Sequence, residues 1–142
     1  MRARKGDWFQ QLTRHERSIV SGQEAEKRKD GLDFLKEAKM AFWDLKTLKL
    51  DEFRPGIRSK LESGTNLTMA FMEIAPNKEG TAHDHPFDQC GVVIEGEIEM
   101  SVGEEKKSLR PMETYFIPAG IEHNWKTTPS GAKILDIVAK QS

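Results

Sequence analysis

The stretch Gly80-Thr81-Ala82-His83-Asp84-His85-Pro86-Phe87-Asp88-Gln89-Cys90-Gly91-Val92-Val93-Ile94-Glu95-Gly96-Glu97-Ile98-Glu99-Met100-Ser101-Val102 decides how this chain is read. Its end alternates strictly. Ile98, Met100 and Val102 fall on one side and Glu97, Glu99 and Ser101 on the other, the two-residue period of a strand with one covered face. Gly103 marks a turn, and residues 105–110 predict a return strand, so the two form a hairpin. The beginning of the stretch is polar and carries two histidines two positions apart. On extended backbone that spacing places both imidazoles on one side.

Working outward, residues 67–74 (Leu-Thr-Met-Ala-Phe-Met-Glu-Ile) predict a strand that stops at Pro76-Asn77. Tyr115-Phe116-Ile117, before the Pro118-Ala119-Gly120 turn, predicts another, and residues 134–139 a last one. Short strands with turns every eight to twelve residues predict an all-β, antiparallel sandwich or barrel over residues 41–142. Residues 1–40 are different in kind. They hold ten Lys or Arg and seven Asp or Glu, with few apolar residues. Trp8, Leu12 and Ile19 have partial helical spacing, and Asp30-Gly31 breaks the pattern. The expectation is a charged, helical N-terminal arm packed on the main domain or on a partner subunit.

Composition narrows the function. The chain has 142 residues, 22 Lys or Arg against 23 Asp or Glu, and a net charge of -1. One domain of this length can bury a core unaided. The even charge balance argues against a nucleic-acid partner, since phosphate contacts demand a basic excess. No window approaches the apolar length of a membrane span, and the basic start Met1-Arg2-Ala3-Arg4-Lys5-Gly6 leads into no secretory leader. A single cysteine, Cys90, cannot form an intramolecular disulfide. The expectation is a reducing, cytoplasmic compartment.

The candidate chemistry lies in histidines. His83 and His85 are joined by His123, just beyond the Pro118-Ala119-Gly120 turn, while His15 stands apart in the arm. Three imidazoles from neighbouring strands can hold a transition metal and leave positions open for water or substrate, and Gln89 could add a side-chain carbonyl as fourth ligand. Asp136, among Ile134, Leu135, Ile137 and Val138, has two readings. Buried, its carboxyl would rise towards a pKa useful in proton transfer; on an edge strand it would face solvent. Cys90 should point away from Gln89 by strand alternation. Trp125 and Tyr115 read as core or pocket wall. The acidic runs Glu95–Glu99 and Glu104-Glu105 read as solvated surface.

The combination resembles the cupins. Gly80 to Gln89, continuing to Ile94-Glu95-Gly96, is similar to the first cupin motif, with His83, His85, Gln89 and Gly96 in the positions of its HxH pair, acidic ligand and closing glycine. Pro118, Gly120 and His123 match the second. The resemblance spans about residues 45–139 and implies a double-stranded β-helix, the jelly-roll barrel, holding one divalent metal (zinc, nickel, iron or manganese) on His83, His85, Gln89 and His123. Four positions depart from the pattern. Asn77 and Met112 stand where the family has glycines, Thr127 where it has an asparagine, and Gln89 where it has a glutamate. A neutral amide in place of a carboxylate leaves the ion's charge less compensated, making it the stronger Lewis acid.

The His, His, Gln, His set is most similar to the cupins that linearise unsaturated uronates released from pectin and alginate. That likeness implies a catalytic role for Asp136. In those proteins an aromatic residue and then an arginine follow the aspartate; here Val138 takes the aromatic's place and no arginine follows. A carboxylate substrate would miss that two-point partner. The expected function is a metal-dependent lyase or isomerase step on a small oxygen-rich substrate. The alternatives are a three-histidine iron dioxygenase and a non-catalytic small-ligand-binding module. The resemblance also implies a homodimer.

Overall fold

The computed structural model describes residues 41–140; the arm of residues 1–40 and its expected helix lie outside them. Residues 41–48 belong to a different compact unit from the one that begins at Lys49, and the account below concerns the latter. Its described residues form seven strands: β1 (Asp51–Arg54), β2 (Ile57–Ser63), β3 (Leu67–Ile74), β4 (Gln89–Val102), β5 (Glu105–Leu109), β6 (Thr114–Ile117) and β7 (His123–Ala139). Every pairing is antiparallel, in the order β1-β2-β3-β7-β4-β5, with β6 on β4. The expected all-β jelly-roll architecture is the one found.

Two long strands organise it. The 14 residues of β4 and the 17 of β7 run side by side and bend together, so each serves two sheets. In the first sheet, Gln89–Val93 of β4 lies between β6 and the end of β7, which in turn pairs with β3. In the second, Ile98–Val102 lies between β5 and His123–Thr127. The bend falls at register shifts flanking Glu95 and Gly96. Gly96 and Gly131 both have left-handed φ, 78° and 68°. A Cβ on Gly96 would lie 2.2 Å from the Gly131 carbonyl oxygen, so the two backbones can cross here only without a side chain.

Strand alternation fills the interior. Ile57 and Leu61 of β2, Ala70, Met72 and Ile74 of β3, Val93, Ile98 and Met100 of β4 and Ile134 and Val138 of β7 are all buried. Glu95 and Glu99 instead form ion pairs with Lys133, and with Lys106 and Lys126, on partly exposed side chains, as expected of solvated surface. Leu67, Phe116 and Ile137 are apolar yet exposed. Asn77 and Met112, at the two positions where the resemblance expects glycine, have left-handed φ values of 58° and 73°. Asparagine tolerates that region; methionine gains nothing there.

The candidate metal centre

The histidines meet through backbone pairing. His83, on the segment before β4, and His123, at the start of β7, exchange both backbone hydrogen bonds, at 3.0 and 2.9 Å. Residues opposed in this way present their side chains to the same face. His85 is held nearby by its carbonyl, which accepts the Gly120 N–H at 2.8 Å, and its ring stacks on Phe87 with centroids 4.0 Å apart. All three imidazoles are buried.

Each ring is turned the same way. Nδ1 of His83 lies 2.7 Å from the Thr81 carbonyl, Nδ1 of His85 2.8 Å from that of Phe87, and Nδ1 of His123 2.9 Å from that of Ile121. A carbonyl only accepts, so Nδ1 carries the proton of the neutral ring and Nε2 keeps its lone pair. The ligand atoms of the three histidines lie within 4.8 Å of one another, so the group could hold a metal ion. The carbonyl contacts are the outer partners that fix tautomer and ring plane at such a centre.

Gln89 opens β4 and is buried beside this group, with Oε1 2.9 Å from His85 Nε2. With the proton of His85 on Nδ1, these are two acceptors facing each other. A cation shared between them satisfies the pair, so this donor set fits a metal.

Asp136 is fully buried on the central strand β7, so the burial reading of this residue holds and the edge-strand reading does not. Its carboxyl is engaged at both oxygens: the Tyr115 hydroxyl donates to Oδ1 in a short contact, and Gln89 Nε2 donates to Oδ2 at 3.2 Å. Burial pushes its pKa up to about 7, against the pull of these two hydrogen bonds. Burial, helped by the neighbouring carboxylate, also raises the Tyr115 hydroxyl well above its ordinary range.

The structure thus brings together all five residues singled out from the sequence: His83, His85, Gln89, His123 and Asp136. It adds Tyr115, read from the sequence only as core or wall. The usable signal was Gly91, two residues after Gln89 and therefore on the same face of β4, which pairs with Tyr115 on one side and Asp136 on the other. Trp125 is core wall: a Cβ on Gly80 would stand 2.5 Å from its indole nitrogen. Cys90 is half-buried and, by alternation, points to the other face from Gln89.

Among known proteins, the family described as Cupin domain matches residues 70–138. KdgF from a Halomonas species superposes with a TM-score of 0.64 at 23% identity, over 73% of this chain and 96% of that one. An RmlC-like cupin from Shewanella frigidimarina gives 0.64 at 20% identity, over 72% and 93%. TT1209 from Thermus thermophilus gives 0.63 at 26% identity, over 72% of this chain and 100% of that one. No curated protein matches the chain. With the bent double sheet, the histidine placement and the family match in agreement, residues 70–138 are a cupin domain.

Proposed function

We propose that the protein is a metal-dependent enzyme acting on a small oxygen-rich substrate of sugar or carboxylate type, in a lyase or isomerase step. The observation that carries this reading is the buried cluster of His83, His85 and His123, each ring locked by its Nδ1 contact, with the Gln89 oxygen set against it. A divalent ion bound there supplies Lewis acidity towards a substrate oxygen.

The chain's own residues do the rest. The histidines contribute neutral donors, so the ion's charge is not offset by its ligands. Asp136, with a pKa of about 7, is the group suited to take or give a proton near neutrality. Its burial keeps bulk water from competing for that proton. The sequence likeness to the uronate-linearising cupins supports a sugar-type substrate, without the arginine that would pair with a carboxylate. The solvent-facing Phe116 and Ile137, apolar residues of the kind buried between subunits, support a homodimer.

The test is metal content of protein purified without an affinity tag, beside His83→Ala and His123→Ala. The expected result is near one equivalent in the wild type and loss in both variants. Iron in the wild type with oxygen consumption would move dioxygenase chemistry ahead. Metal and activity both intact in either variant would overturn the reading.

A further inference from the structure

Across β2, β3, β7, β4 and β6 the register sets Leu61, Ala70, Asp136, Gly91 and Tyr115 in one row on one face. Asp136 therefore stands between two of the smallest residues. A Cβ on Gly91 would lie 2.4 Å from the Tyr115 hydroxyl oxygen and 2.6 Å from Asp136 Oδ1. The missing side chain at 91 is thus the space through which the phenol of β6 reaches the carboxylate of β7. With Tyr115 on Oδ1 and Gln89 on Oδ2, the carboxylate is held at both oxygens by donors from two different strands.

An amide and a carboxylate make different demands as ligands. A carboxylate offers an oxygen whichever way it is turned. An amide ligates only through its oxygen, so a rotation of half a turn replaces the ligand by an NH2 group. With the Tyr115 hydroxyl donating to Oδ1, Oδ2 is left to accept from the NH2 end of Gln89, which leaves Oε1 facing His85 Nε2.

We propose that Tyr115 and Gly91 are positioning residues that act through Asp136 to hold the Gln89 amide with its oxygen turned to the three histidines. The inference rests on the reading of that cluster as a metal centre. It explains why a glutamine ligand is accompanied by a tyrosine and a glycine on the neighbouring positions of the sheet.

The experiment is a cobalt(II) titration of the full chain, followed by visible absorption, for wild type, Gln89→Ala, Tyr115→Phe and the double variant. Loss of an outer partner weakens metal affinity by about 10-fold or more. Tyr115→Phe should therefore weaken cobalt binding about 10-fold and move the spectrum to that of Gln89→Ala, while adding nothing in the Gln89→Ala background. Equal weakening in both backgrounds, or none in either, would overturn the proposal. If the wild type takes up no cobalt, the metal-centre reading falls and this proposal with it. If it does, but Gln89→Ala binds with unchanged affinity and spectrum, this proposal alone falls. Should Tyr115→Phe fail to fold, glutamine-selective 15N labelling of the zinc-loaded wild type decides. The Gln89 side-chain NH2 should exchange with solvent far more slowly than that of an exposed glutamine, and more slowly than in Asp136→Asn; exchange at the rate of an exposed glutamine would overturn the proposal.

Discussion

At the scale of the residue, Asp136 couples the site to pH. Its carboxyl is raised from 3.8 to about 7 by burial, so between these values the folded chain keeps a proton that the unfolded chain releases. Its contribution to stability is complete below about pH 4 and is lost as pH rises through 7. In chelator-treated protein, wild type should therefore lose stability relative to Asp136→Asn across this window, by up to roughly 1 kcal/mol per pH unit. Urea unfolding of both proteins at several pH values measures it; parallel curves would show that the carboxyl does not titrate there. Met112 supplies a second prediction. It is 85% exposed with φ at 73°, so it carries strain without packing in return. Met112→Gly should stabilise the fold by about 0.5–1 kcal/mol, read from the urea midpoint.

The elements show which strands a sequence can reveal. Residues 67–74 are read from the sequence with the bounds observed for β3, because apolar residues dominate the run and Pro76-Asn77 stops it. The β1–β2 hairpin is not read as strands. Asp51–Arg54 and Ile57–Ser63 carry mostly polar residues, and only Ile57 and Leu61 put large apolar side chains in the core. The Pro55-Gly56 turn between them is the one signal they give. Only the end of β7 is expected, because Pro129-Ser130-Gly131 looks like a stop; the strand instead runs through these residues as it bends between sheets. At the site, the histidines and Gln89 are legible because their spacing is local or motif-like. Tyr115 is not, because its meeting with Asp136 depends on register across three strands. The bend itself can be tested. Gly96→Ala would force a Cβ against the Gly131 carbonyl and should cost about 2–3 kcal/mol or abolish folding, as thermal unfolding would show. Gly120→Ala meets nothing within 4 Å and should cost only its left-handed backbone, about 1 kcal/mol.

For the whole molecule, the barrel is all strand among the described residues, and no helix there is long and apolar enough to cross a membrane. The proposed homodimer is a prediction at this scale. Light scattering should give twice the chain mass for the full chain, and comparison with a chain starting near Met40 shows whether residues 1–40 contribute. A monomer in both would refute the dimer. Order along the chain has a further consequence. The seventh strand pairs with β3 on one side and β4 on the other, and it carries both His123 and Asp136. A ribosome delivers it last of the seven. Until it emerges, β3 and β4 each wait with an unpaired edge, the kind of surface on which nascent chains stick to one another. Neither sheet can close early, and the histidine cluster has no third corner to offer a metal. The barrel can therefore close only once β7 has been made.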